Sequence, residues 1–166
     1  MHHKRYSRNP ILLPLSLFYA MGIALRDLAF RWGINTIMDY EMPIIGVGNL
    51  STGGSGKTPH TYYLMNHLTK RGLPTAYLSR GYGRKSTGYR EVSIQSKADK
   101  IGDEALLAKH RFPQSRVVVS ESRSQAIPDV YHGRPAHQVT LLDDAFQHRS
   151  IKPGLQILLN RYDCLF

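Results

Sequence analysis

Ser51-Thr52-Gly53-Gly54-Ser55-Gly56-Lys57-Thr58 departs at one position from the phosphate-loop pattern G-x-x-x-x-G-K-[ST], with Ser51 standing where the pattern has its first glycine. Gly53, Gly54 and Gly56 let the backbone curl so that its N–H groups point inward, and a following helix N-terminus completes a cradle for phosphate oxygens. Lys57 adds a point charge, and Thr58 offers a hydroxyl to Mg²⁺. Far downstream, the run Val139-Thr140-Leu141-Leu142 ends in Asp143 and Asp144, where a carboxylate would hold the Mg²⁺ shared with Thr58. An aspartate used only for turn chemistry is the bland reading of the same pair. Gln147 and His148 follow within a turn, either facing the same crevice or forming a polar loop. The chemistry implied is binding of a nucleoside triphosphate, ATP or GTP, with Mg²⁺.

Such a loop works only between a strand and a helix. Pro43–Leu50 is an apolar run that reads as the strand, and Pro59–Arg71 turns to a helical pattern carrying Tyr62, Tyr63, Leu64 and Leu68. Gly72 stops that helix, Leu73–Ser79 reads as a second strand, and Ile101–Phe112 as a second helix with Ala105, Leu106 and Ala108 inward. A short strand is expected at Val117–Ser120, then a helical turn over Ser122–Ile127 ended by Pro128. Gln138–Asp143 and Leu155–Asn160 both read as buried strands, and the chain stops six residues after the second with no covering element, so it looks cut. Alternating strands and helices predict an α/β fold, a parallel sheet flanked by helices on both faces, with ligand at the carboxyl ends of the strands.

The composition agrees with one folded domain: 166 residues, 42% hydrophobic and 20% charged. Twenty-two Lys+Arg against 12 Asp+Glu give a net charge of +10, which points to an anionic partner such as nucleotide, phospholipid, phosphosugar or nucleic acid. The single cysteine, Cys164, excludes an internal disulfide framework and Cys-rich metal sites. At the N-terminus a basic flank of His2, His3, Lys4, Arg5 and Arg8 precedes an apolar stretch, Ile11–Leu25, that is short for a bilayer span. Leu25, Leu28, Ala29 and Trp32 continue it as a stripe with Arg26, Asp27 and Arg31 off it, as in an interfacial amphipathic helix. A core helix and a cleaved signal are the competing readings, the latter at odds with a nucleotide site that needs cytosolic substrate. The expected division is residues 1–36 as the membrane-associating helix and 37–166 as the phosphate-loop domain.

Taken together, several strings resemble the tetraacyldisaccharide 4'-kinases, which phosphorylate the lipid A precursor of Gram-negative bacteria. They are Val47-Gly48-Asn49-Leu50-Ser51 through Gly56-Lys57-Thr58-Pro59, then Ser79-Arg80-Gly81-Tyr82-Gly83-Arg84, Gly102-Asp103-Glu104, Arg123, and Leu142-Asp143-Asp144-Ala145-Phe146-Gln147-His148-Arg149. The family's loop also carries Ser in place of the first glycine. The resemblance implies a P-loop kinase, monotopic on the cytoplasmic face of the inner membrane, using ATP and Mg²⁺ to phosphorylate the 4'-hydroxyl of a lipid A disaccharide 1-phosphate. It implies nucleotide binding by Ser51 through Thr58, metal binding by Thr58, Asp143 and Asp144, and catalysis by Lys57, Asp144 and Asp103, the last as base. It places Arg80, Tyr82, Arg84, Arg123, Gln147 and His148 on the substrate side. Asp103 and Glu104 as acids favouring a helix dipole, and Arg84 as a solvated basic loop, are the alternatives. Family members run to roughly twice this length, so the resemblance also implies a fragment lacking a second half. Two positions depart from the family pattern: Asn160-Arg161 stand where an aspartate is usual, and Ala145 where glycine is commoner.

Two other functions share some of these features. A membrane-recruited partition-type ATPase shares Gly-Gly-x-Gly-Lys-Thr but needs lysine at the position of Thr52. A non-catalytic basic module for membrane or nucleic acid would call for a polybasic stripe or stacking aromatics, whereas the basic residues here are scattered, so no nucleic-acid partner is expected. The sequence carries no indication of oligomeric state.

Overall fold

Leu141 and Leu142, neighbours on one strand, bury to opposite sides of a sheet, and that alternation organises the protein. The computed structural model describes residues 13–32, 38–49, 56–132, 138–146 and 150–160. Contacts divide the chain into two units, Met1–Ile37 and Met38–Phe166.

The first unit holds helix α1 (Leu13–Arg31). Leu17, Phe18, Tyr19, Met21, Leu25 and Trp32 are all exposed on it. Among the described residues no helix is long and apolar enough to cross a membrane. The basic flank at residues 2–8 lies outside the described residues.

The second unit runs β1 (Met38–Asp39), β2 (Ile44–Asn49), α2 (Lys57–Lys70), β3 (Thr75–Ser79), β4 (Arg90–Glu91), α3 (Ala98–Ile101), α4 (Asp103–Arg111), β5 (Arg116–Val119), α5 (Arg123–Tyr131), β6 (Val139–Asp143), β7 (Ile151–Lys152) and β8 (Leu155–Leu159). Six strands form one sheet in the order β4-β5-β3-β6-β2-β8, parallel except for β4, which runs antiparallel to β5. β1 and β7 pair separately. On one face Ala76, Leu78, Val118 and Leu142 pack with Ala126, Ile127 and Val130 of α5. On the other, Tyr77, Val117, Val119 and Leu141 pack with Tyr62 and Met65 of α2 and with Ala105 and Ala108 of α4. The expected α/β architecture with helices on both faces is therefore present.

The order of the central strands decides where chemistry can occur. β6 lies between β2 and β3, with Val47 opposite Asp143 and Leu78 opposite Leu142, so the chain leaves β2, β3 and β6 at one edge. Helix α2 starts at that edge after Gly56, whose φ of 76° is left-handed. It ends in a Schellman turn, Gly72 N–H bonding Thr69 O and Leu73 N–H bonding Leu68 O. Pro59 is the third residue of α2, where the N–H it lacks would have no helical partner.

Three local expectations are corrected. The helix expected at Ile101–Phe112 is two, α3 and α4, broken at Gly102 with φ 87° and ψ 149°. A side chain there would press on Tyr82 O at 3.0 Å and Gly81 C at 3.2 Å, so the break permits a backbone-to-backbone approach and makes Asp103 and Glu104 the first turn of α4. Pro128 does not end a helical turn at Ile127, for α5 runs through it to Tyr131. Proline removes the N–H that would bond Ser124 O, and Tyr40 OH donates to that carbonyl instead at 2.6 Å. The strand expected to be buried at its C-terminal end, β8, is an edge strand with Leu155 53% exposed. Its apolar run does not report burial because, among the described residues, β2 alone pairs with it.

Candidate active site

At the carboxyl edge of the sheet a cleft of about 570 Å³ opens between α2, the turn after β3, α4, α5 and the end of β6. Its chemistry begins with Asp143, the last residue of β6 and buried. Tyr77 OH donates to Asp143 Oδ2 at 2.7 Å and Thr58 Oγ1 donates to the same oxygen at 3.1 Å. Asp144 N–H donates to Oδ1 at 3.0 Å, with Thr61 Oγ1 at 3.5 Å. A buried carboxylate is costly unless its lone pairs are filled in this way.

Asp144 has left the strand and sits at φ 53°, a left-handed conformation rare outside glycine. That bend aims its carboxylate at Lys57, Nζ to Oδ1 3.0 Å, and Lys57 Nζ also donates to Asn49 Oδ1 at 2.8 Å. Gly48 makes room for the bend, since a side chain there would overlap Phe146. Ala145 N–H then bonds Val47 O at 2.9 Å, fastening the turn to the phosphate-loop strand.

Arg123, first residue of α5, is 2% exposed. Its Nη2 donates to Asp143 O at 2.6 Å, while Nε and Nη1 have no partner among the described residues. Burial lowers its pKa, and the nearby Asp144 and Asp143 carboxylates oppose that. A guanidinium with two spare buried donors on a cleft wall is suited to an anion. Arg80 and Tyr82 also line the cleft, and Tyr82 is 90% exposed.

Glu104 is the site residue that sequence reasoning underrated, for its carboxylate lines the cleft whereas Asp103 beside it does not. Burial and the Asp143 charge raise the Glu104 pKa, while the Thr58 hydroxyl and Lys57 pull it back. The signal was present in the pair Asp103-Glu104, but choosing between neighbours needs the helix phase that Gly102 sets. Arg84 does not line the cleft. Its side chain is 3% exposed and ion-paired with Glu121 at 2.5 Å, and Nη2 also donates to Gly88 O at 2.8 Å. Thus Lys57, Thr58, Arg80, Tyr82, Arg123, Asp143 and Asp144 come together in one cleft. Gly56 caps α2 beside them. Ser51, Thr52, Gly53, Gly54, Ser55, Gln147 and His148 lie outside the described residues.

Comparison with known proteins places this geometry. The Tetraacyldisaccharide-1-P 4'-kinase family model matches residues 8–163. Relatives named tetraacyldisaccharide 4'-kinase include one from Phocaeicola vulgatus, 42% identical over 156 residues spanning 93% of this chain and 42% of the relative. Another, from Bacteroides thetaiotaomicron, is 44% identical over 156 residues, 93% of this chain and 41% of the relative. The crystal structure of LpxK from Aquifex aeolicus in complex with ATP is similar at a TM-score of 0.78 and 37% identity, covering 92% of this chain and 49% of that one. The chain spans less than half the length of these relatives. With the match running through the phosphate loop, the cleft and the paired aspartates, the chain belongs to the tetraacyldisaccharide-1-P 4'-kinase family.

Proposed function

We propose that the protein carrying this chain transfers the γ-phosphoryl group of ATP, with Mg²⁺, to the 4'-hydroxyl of a tetraacyldisaccharide 1-phosphate, the lipid A precursor. The observation that carries this reading is the meeting of Lys57 and Thr58 with Asp144 and Asp143 at the N-terminus of α2. The residues fit both partners. Thr58, Asp143 and Asp144 are hard oxygen donors of the kind Mg²⁺ takes, and the spare Nε and Nη1 of Arg123 suit an anionic group.

In this reading Ser51 through Thr58 cradle the phosphates with backbone N–H groups, and the N-terminus of α2 carries no acidic residue in its first turn to oppose them. Lys57 leaves Asp144 to neutralise phosphate oxygens. Mg²⁺, when bound, supplies further charge neutralisation on the same oxygens. Asp143 holds the Thr58 hydroxyl in place, while Asp144, half-exposed beside Lys57, is the freer carboxylate. Arg80, Tyr82, Arg123, Gln147 and His148 bind the phosphorylated sugar. The resemblance gives the proton of the attacking hydroxyl to Asp103, the exposed first residue of α4, which stands beside the cleft-lining Glu104 and is open to an acceptor arriving from solvent. Helix α1, with its exposed Leu17, Phe18 and Trp32, lies on the cytoplasmic surface of the inner membrane, where the acyl chains of the acceptor remain.

The test is transfer of phosphate from ATP to detergent-dispersed tetraacyldisaccharide 1-phosphate, beside an acceptor lacking the 4'-hydroxyl. Label on the first only supports the reading. Label on both, or on neither while ATP binds, contradicts it.

A further inference from the structure

We propose that Tyr77 is a positioning residue, its hydroxyl fixing the Asp143 carboxylate so that the Thr58 hydroxyl is presented to the metal-nucleotide. This deepens the kinase reading and rests on it. Tyr77 sits in the middle of β3 and is fully buried, among neighbours Ala76 and Leu78 that are wholly apolar. A phenylalanine would satisfy that packing, in which the ring meets the Tyr62 ring at 6.1 Å between centroids. A phenol there carries a hydroxyl that must find a partner or lose the free energy of an unmade hydrogen bond. It finds Asp143 Oδ2 at 2.7 Å, the oxygen that Thr58 Oγ1 reaches at 3.1 Å.

The geometry links three elements through one atom. Tyr77 comes from β3, Asp143 from β6 and Thr58 from the first turn of α2. The register pairs Tyr77 with Leu141, so the ring spans the two residues to Asp143 along a strand that cannot slide. A carboxylate turns readily about its last torsion, and donors on both oxygens are what stop it. On Oδ1 the donors are the Asp144 backbone at 3.0 Å and Thr61 at 3.5 Å, whose hydroxyl is also engaged with Lys57 O at 3.0 Å. The short bond from Tyr77 is therefore the firmest side-chain restraint on Asp143 among the described residues. With Asp143 held, the Thr58 proton is drawn toward Oδ2 and the oxygen's lone pairs are left facing the cleft.

The experiment compares wild type, Tyr77→Phe and Thr61→Val in the complete gene product that carries this sequence. Binding of a fluorescent non-hydrolysable ATP analogue is titrated with Mg²⁺, and melting temperature is measured alongside. Tyr77→Phe is expected to raise the Mg²⁺ concentration for half-saturation by roughly three- to tenfold, with nucleotide affinity in chelator unchanged. Thr61→Val, on the other oxygen and at longer range, is expected to raise it less. A Tyr77→Phe protein that melts earlier but keeps the wild-type Mg²⁺ half-saturation overturns the positioning role and leaves the kinase reading standing. A wild type that binds the analogue without any response to Mg²⁺ overturns both. If Tyr77→Phe does not fold, a Thr61→Val protein with the larger Mg²⁺ shift expected of Tyr77 overturns the assignment, and a small shift supports it.

Discussion

Lys57 Nζ lies 3.0 Å from Asp144 Oδ1, so the phosphate-loop lysine is held by a carboxylate of the neighbouring strand's turn. Asn49 Oδ1, 2.8 Å from the same nitrogen, completes the restraint from the end of β2. The ammonium is thereby kept at the N-terminus of α2 rather than dispersed into solvent, ready to exchange one anion for another. Lys57→Ala should lower transfer by at least about 100-fold. Because the pair is part-exposed, stability should change by no more than about 1 kcal/mol. Thermal melting and steady-state transfer, measured on one preparation, separate the two effects.

Glu104 should act in the opposite sense on stability. Burial and the Asp143 charge raise its pKa, with Thr58 and Lys57 opposing. An acid whose folded pKa is raised binds its proton more tightly in the folded state, so stability falls as pH rises from below the unfolded value, about 4.3, through the folded one. Glu104→Gln is therefore expected to melt higher than wild type at pH near 7, the gain vanishing below about pH 4.3. Equal melting temperatures across that range would show that the carboxylate carries no such strain.

Tyr40 and Pro128 form a testable pair across more than 80 residues of sequence. Tyr40→Phe leaves Ser124 O without the 2.6 Å donor, and should cost about 1 kcal/mol. In a Pro128→Ala background the new amide can bond Ser124 O, and the loss from Tyr40→Phe should shrink. Equal losses in both backgrounds would mean that the tyrosine does not substitute for the missing helical donor.

The loop after β3 should be acid-sensitive through Glu121. Desolvation pushes its pKa up, but backbone N–H donors and the Arg84 guanidinium outweigh this and hold it below the usual carboxylate range. A depressed pKa contributes stability above the unfolded value that is lost as pH falls through the folded one. Glu121→Gln should therefore remove part of the acid-induced loss below about pH 4.3 and, because solvent screens this exposed carboxylate, cost less than about 1 kcal/mol at pH near 7. Hydrogen exchange at Gly88, whose N–H donates to Glu121 Oε2 at 3.0 Å, reads the loop directly.

Much of this arrangement was legible in the residues. The strand-loop-helix frame of Lys57 and Thr58, and the carboxylates closing an apolar strand, are local patterns that fix their own surroundings. What escaped was set by partners distant in sequence. Pro128 marks a helix end unless a hydroxyl arrives from Tyr40. Gly102 marks an ordinary helical position unless the Gly81-Tyr82 backbone packs on it, and that packing turns Glu104 rather than Asp103 into the cleft. Arg84 has the type and spacing of a phosphate ligand, but Glu121 claims it. Leu155 and Leu158 have the composition of a buried strand and lie at the sheet's edge.

The most direct measurement is label transfer from γ-labelled ATP with Mg²⁺ to tetraacyldisaccharide 1-phosphate, by the complete gene product carrying this sequence and by its Lys57→Ala variant. The account predicts a labelled lipid phosphate at the 4'-position with wild type and at least about 100-fold less with the variant, both proteins being folded. Equal transfer by the two, or none by a wild type that binds ATP and the acceptor, would contradict it.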